Sequence, residues 1–376
     1  MNLSSSQGSA ETGRTPSDLP GLAAFEAILD RCQALRYEDP KQMVDLALLA
    51  TIAAGQLSPR RYGARRVAGA QCRAWIELAN AYRVADKLDE SEVALDHASD
   101  LFAEGEGDEL LEARLHDVRA SLLADRRRFD EACAALDVVI EIHERLGHPH
   151  LTGRALISKG VFAGYAGRPE EGILHLREGL ARIDPQTDLV LVYAGLHNQA
   201  FLLLEMGRFR EARALLWENR QGSADSGGRI NLLKLRALEA RADTELGDLD
   251  RAEEGFREVR QGFAELDLPY KAALASLELA LVHHRRGDLE SACARVVEAA
   301  EAFAALRLPQ PALAAVLVAR QALEDRREAL RASTLLPAVI DFLAGAEGDP
   351  AADFEGWMRS RSSPAASAAS PASPAG

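Results

Sequence analysis

The chain has 376 residues, with 44 Lys and Arg against 58 Asp and Glu, for a net charge of −14. That length exceeds one compact core, so two domains or an elongated array are expected, and the negative field excludes a general nucleic-acid binder. Hydrophobic residues make up 47% but aromatics only 5%, the profile of amphipathic helices that bury small and aliphatic side chains.

Residues 1–19 are rich in Ser, Gly and Thr without a period and are expected to be a disordered tail. They lack a basic start and an apolar h-region, and no run of 18 apolar residues occurs anywhere, so a cytoplasmic, non-membrane protein is expected. Cys32, Cys72, Cys133 and Cys293 have no zinc-ligand spacing and read as free thiols of a reducing compartment. From residue 20 the hydrophobic pattern is helical, with apolar residues recurring at three and four. Residues 21–36 and 40–56 form a degenerate first hairpin, with Asp39-Pro40 as its stop and restart. The run SPRRYGARR at 58–66 crowds four arginines around an aromatic. It reads first as a solvated linker and second as a contact for phosphate or an acidic partner.

Beyond residue 71 the chain repeats. Gly167, Gly207, Gly247 and Gly287 stand on a 40-residue lattice, each followed five residues later by a small one, Gly172, Ala212, Ala252 and Ala292. With Gly at 28 of 376 positions, four on one lattice have a chance probability on the order of 10⁻⁵ per register. The glycine closes one helix in a left-handed turn and a polar stretch opens the next, as in GRPEEG, GRFREA, GDLDRA and GDLESA. RRFDEA keeps the lattice with Arg127 in place of Gly, and DKLDES at 86–91 is one residue out of register. A small column, Ala120, Gly160, Ala200, Ala240 and Ala280, lies where the two helices of a hairpin cross. A bulky one, Leu136, Leu176, Leu216, Phe256 and Val296, faces the core. Pro149, Pro269 and Pro309 separate hairpins.

Together with Trp75, Leu78 and Tyr82 of the first hairpin, these columns resemble the tetratricopeptide repeat, in a long form whose period exceeds the usual ~34 residues. The resemblance implies an all-α fold: a right-handed α-solenoid superhelix of stacked antiparallel helix hairpins. The long form is similar to helical sensor domains of bacterial regulators, including peptide-pheromone receptors and signal-activated transcription activators. The expected layout is a tail at 1–19, capping helices at 20–71, six repeats at 72–306, a capping hairpin at 307–347 built from 309–323 and 328–345, and a Ser/Pro/Ala tail at 348–376. The Gly/Ser-rich stretch 218–230 should be a mobile connection after a shortened helix.

No constellation for chemistry stands out. GVFAGYAG at 160–167 follows a helix and lacks GK[ST], so it is helix packing plus a turn. His143, His148 and His150, and the adjacent pair His283-His284, read as solvated turn histidines. The carboxylates Glu90, Glu92, Asp130, Glu131, Glu170, Glu171, Glu253 and Glu254 complement helix dipoles. No enzyme, cofactor or metal is expected.

The resemblance implies that the first helices line a concave groove, so their polar residues are the binding candidates: Arg73, Asn80, Arg154, Lys159, His197, Asn198, Lys234, Glu239, Arg241 and Glu278. Asn pairs with a peptide backbone, and Arg or Lys takes a carboxylate. The competing reading is that they pair with one another between repeats. Lysine, which occurs only at 41, 87, 159, 234 and 271, is too scarce for the two-Lys, two-Asn carboxylate clamp of chaperone-binding relatives. The expected function is a non-enzymatic protein- or peptide-binding scaffold in a bacterial regulatory assembly. The rival is a sensor of a small molecule or short peptide acting on a separately encoded effector. No direct nucleic-acid or membrane contact is expected. Self-association through the terminal hairpins, with Phe354, Trp357 and Met358 beyond the last, is a further expectation.

Overall fold

The computed structural model describes residues 20–34, 39–219, 226–306, 316 and 336–343. Both expected tails, the heart of the 218–230 connection, most of the last hairpin, and Phe354, Trp357 and Met358 lie outside the described residues.

Among the described residues every regular element is helical, and the chain forms two compact units, up to Ile183 and from Asp184. The first unit holds α1 (Pro20–Ala34), α2 (Pro40–Gly55), α3 (Pro59–Tyr62), α4 (Ala64–Val84), α5 (Leu88–Glu104), α6 (Glu109–Asp125), α7 (Phe129–Arg145), α8 (Pro149–Tyr165) and α9 (Pro169–Leu180). The second holds α10 (Leu189–Glu205), α11 (Phe209–Glu218), α12 (Ser226–Leu246), α13 (Leu249–Glu265), α14 (Pro269–Arg286), α15 (Leu289–Ala305) and a helical stretch at 336–343. Within each unit consecutive helices pair as antiparallel hairpins. The restart at α2 is chemical: Asp39 accepts hydrogen bonds from the backbone N–H groups of Lys41 and Gln42 at 3.1 and 3.0 Å, and Pro40 occupies the first turn, where no donor is needed.

One turn joins the two helices of all six hairpins from α4 to α15. Gly167, Gly207, Gly247 and Gly287 have φ of +80°, +70°, +82° and +82°. The residue after each donates its N–H back to a carbonyl five residues earlier, as Arg168 does to Ala163 (2.9 Å) and Arg208 to Leu203 (2.8 Å). This is the Schellman closure, which satisfies carbonyls that a helix end leaves orphaned. Asp86 and Arg127 take the same conformation at φ +59° and +58°, with the equivalent bonds Lys87→Tyr82 and Arg128→Leu123. A non-glycine residue there costs about 1–2 kcal/mol, which the packed hairpin absorbs. The turn therefore persists upstream where its glycine is lost.

The columns face the core as the lattice requires. Ala120, Ala200, Ala240 and Ala280 are fully buried at the helix crossings, as are Ala132, Ala212, Ala252 and Ala292, while Leu136, Leu176, Leu216, Phe256 and Val296 are at most 3% exposed. Burying each large side chain contributes about 1.5–3 kcal/mol. α8 and α9 approach closely, with Gly160 over the Gly172 carbonyl and Gly153 facing Gly179. In the second unit, Leu336, Val339, Ile340, Phe342 and Leu343 seal the core of α14 and α15.

Two expectations need correction. First, several of these helix-opening carboxylates bond to arginines of the neighbouring hairpin as well as complementing a dipole: Glu92 with Arg126 (3.0 Å), Glu253 with Arg286 (2.5 Å) and Asp130 with Arg168. Such pairs tie the start of a closing helix to the turn of the next hairpin, at separations that vary, as between 33 and 38 residues for the last two. Second, His143 is not a solvated turn residue. It is 7% exposed, with its imidazolium disfavoured by burial and by neighbouring His148, because the last turn of α7 folds against the start of α8.

Candidate ligand-binding site

Within a unit, opening helices pack one face on the adjacent closing helices, and the residues off that face are open to a ligand. In the second unit this geometry produces a cavity of about 500 Å³, within the size range of small-ligand and peptide side-chain pockets. Three opening helices build it. α10 supplies Tyr193, Ala194, His197, Asn198 and Phe201; α12 supplies Asn231, Lys234, Ala237, Leu238 and Arg241; α14 supplies Lys271, Leu274, Ala275 and Glu278. Phe256, Val259 and Phe263 of α13 form an apolar floor, and Ile340 closes one side. The lining follows the lattice: Asn198, Leu238 and Glu278 share one column, Ala194, Lys234 and Leu274 a second, Asn231 and Lys271 a third.

The polar groups have distinct states. Arg241 Nε lies 3.2 Å from Glu278, and its guanidinium also bonds Asp341. Glu278, chiefly, raises the pKa of Arg241 against the opposing effect of burial. Glu278 is itself pushed up, because its burial outweighs the attraction of an arginine shared with a second carboxylate. His197 is driven down to about 4 by desolvation and then by the charge of Lys234. It is therefore a neutral hydrogen-bonding ring at physiological pH. Asn198 donates to the Ala194 carbonyl at 2.8 Å, and both residues line the cavity. Lys234 is exposed and Lys271 half-buried, so two of the five lysines of the chain meet in this one cavity. The lining carries three cations, Lys234, Lys271 and Arg241, and Glu278 as its carboxylate, a local positive excess in a chain of net charge −14.

Of the ten residues singled out from the sequence, the cavity brings together His197, Asn198, Lys234, Arg241 and Glu278. The other five stand elsewhere in ion pairs or hydrogen bonds. Arg73 bonds Glu26 of α1 at 2.6 Å, Asn80 is buried and accepts from Arg83 at 3.1 Å, Arg154 reaches Asp117 at 3.5 Å, and Lys159 bonds Asp137 at 2.6 Å. Glu239 is 1% exposed and bonds Arg236 at 3.1 Å within its own helix, with Arg251 of α13 at 3.8 Å. Sequence reading missed Asn231, Lys271, Phe201 and the α13 aromatics. Asn231 and Lys271 were within reach, since they share a lattice column that the candidate columns adjoin; Asp341 and Ile340 carry no such signal.

No sequence-family model and no curated protein matches the chain, but solved structures do. A signal-transduction ATPase with a tetratricopeptide repeat sensor from Pyrococcus horikoshii is similar at a TM-score of 0.60 and 16% identity over 74% of this chain, which spans 41% of that protein. A Rap protein complexed with competence and sporulation factor is similar at 0.52 and 13%, over 90% of each chain. Aspartyl phosphate phosphatase F from Bacillus subtilis is similar at 0.54 and 15%, over 76% of this chain and 72% of its own. The fold is thus all-helical and of tetratricopeptide type, and no helix among the described residues is long and apolar enough to cross a membrane.

Proposed function

We propose that this protein is a non-enzymatic, cytoplasmic regulatory protein that binds a peptide, or an extended segment of a protein, in the cavity of its second unit. The observation that carries this reading is the lining itself: apolar side chains below, and a neutral His, Asn amides and lysines above. Apolar residues of a ligand find the floor of Phe201, Phe256 and Phe263, its backbone finds Asn198 and Asn231, and a carboxylate finds Lys234 or Lys271. The likeness to a Rap protein complexed with competence and sporulation factor, and to a sensor-bearing ATPase, supports a regulatory role. The phosphatase of the same fold is a reminder that the fold by itself does not assign activity. The cavity volume also favours the sensor reading, in which a small molecule occupies the same place and an effector encoded separately responds.

Selection of a displayed random-peptide library on the immobilised chain, followed by calorimetry of the enriched peptides, tests the proposal. Enriched sequences should combine apolar residues with an acidic group or free carboxylate and bind one to one. A Lys234→Glu, Lys271→Glu variant with unchanged circular dichroism should weaken them at least about tenfold, the effect of losing roughly 1.4 kcal/mol of charge-assisted contact. If no peptide is enriched, or if the variant binds as tightly as the wild type, this peptide reading fails.

A further inference from the structure

The arginines of this chain are mostly neutralised. In the first unit Arg73, Arg83, Arg114, Arg126, Arg145 and Arg168 each have a carboxylate within 4 Å. Single arginines such as Arg127 and Arg177 also lack an ion pair, but Arg60 and Arg61 on α3, with Arg65 and Arg66 at the start of α4, form a cluster: all four are exposed, and among the described residues none of them forms an ion pair. Arg61 only stacks on the neighbouring Tyr62 ring, 5.4 Å from its centroid. Their placement is electrostatically unfavourable as it stands. Like most opening helices, α4 has no acidic residue in its first turn, but here arginines occupy it. Two cations sit instead where the helix dipole favours an anion, and two more lie a few residues away. Four adjoining guanidiniums that oppose the local dipole and one another, without an ion-pair partner among the described residues, present planar forks suited to carboxylates or phosphates.

We infer that Arg60, Arg61, Arg65 and Arg66 form a docking surface for a short acidic stretch of a partner polypeptide. The surroundings select this occupant over a nucleic acid. Exposed Glu106 and Asp108 line the same cleft as Arg65 and Arg66, a hollow of about 250 Å³, and Glu104 is exposed just before them. A phosphate backbone running past the arginines meets these carboxylates and the field of a chain of net charge −14. Arg60 and Arg61 lie outside that hollow, so a short run of Asp or Glu residues held by them meets fewer of these carboxylates than a long phosphate backbone does. This surface belongs to the first unit and is independent of the cavity reading.

The test uses fluorescence anisotropy of the full chain with labelled octaglutamate, a labelled octaserine and an eight-nucleotide oligothymidylate, at about 50 and about 300 mM NaCl. Octaglutamate should bind saturably at low salt, octaserine should not, and the oligonucleotide should bind more weakly. Changing all four arginines to Gln should weaken octaglutamate at least about tenfold and flatten its salt dependence. Arg177→Gln with Arg210→Gln, two exposed arginines away from the patch, should leave binding unchanged. Because all the altered side chains are exposed, circular dichroism of both variants should match the wild type. Absence of octaglutamate binding, equal binding by the four-Gln variant, equal loss in the control variant, or tighter binding of the oligonucleotide each overturns the inference.

Discussion

Replacing Gly160 by Ala should destabilise the protein, although Ala occupies the same lattice position at 120, 200, 240 and 280. A Cβ at residue 160 would lie 2.7 Å from the Gly172 carbonyl oxygen, 2.7 Å from Leu176 Cγ and 3.0 Å from the Leu176 backbone nitrogen. Two of these atoms are backbone of α9 and cannot rotate aside, so the helices must part. Parting also loosens the contact between Gly153 and Gly179, whose own added Cβ atoms would meet the opposing carbonyl at 2.8 and 2.7 Å. Alanine gains about 1 kcal/mol of helix propensity, while overpacking a close interface costs about 1–3 kcal/mol. With backbone as the obstacle the upper part of that range applies, leaving a net loss of about 1–2 kcal/mol. Gly69→Ala is the matched control. Its Cβ would meet nothing within 4 Å, so only the propensity gain remains, about 0.5–1 kcal/mol. Urea unfolding followed by far-ultraviolet circular dichroism compares the midpoints. Amide exchange in α8 and α9 localises the effect, since a two-unit array need not unfold in one step. A Gly160→Ala midpoint at or above that of the wild type would refute the claim that contact with α9 backbone decides this position.

Further outcomes follow from the buried charges. Arg114 holds Glu77, which is 1% exposed, through two bonds of 2.9 and 3.0 Å; Arg114→Leu should cost about 3–5 kcal/mol, and Glu77→Leu with Arg114→Leu should recover most of it in chemical denaturation. Burial raises the pKa of Asp243 despite Arg213 and Arg251. Its contribution is therefore fully present below the unfolded-state pKa and is lost as pH rises through the folded one. Stability curves of Asp243→Asn and the wild type should thus diverge in favour of Asn on going from acid to neutral pH, and curves that stay parallel would count against this account. His197, with a pKa near 4, should keep a neutral imidazole in a proton NMR titration from pH 8 down to 5. Since its folded pKa is depressed, its contribution to stability is present above its unfolded-state value and is lost as pH falls through about 4. Lys234→Ala should move the His197 midpoint upward; a wild-type midpoint at 6 or above is the contrary result.

The period, the turns and the core columns were legible in the sequence because each is local or strictly recurrent. A left-handed closure leaves its glycine, a helix crossing leaves its alanine, and a 40-residue spacing exposes both. Even where Asp86 and Arg127 replace the glycine, the neighbouring repeats reveal the turn. What the tertiary structure alone decided is the fate of polar side chains on the opening helices. Arg73 looks like a ligand-binding residue until Glu26, 47 residues away, is seen beside it. Arg241 is bound by Asp341, 100 residues on. Lys234 was indistinguishable in type from Lys159, yet Lys234 lines the cavity, while Lys159 bonds Asp137. Periodicity fixes which face of a helix a residue occupies, whereas a charge is committed or left available by whichever partner packing brings within about 4 Å, and that distance is not written along the chain.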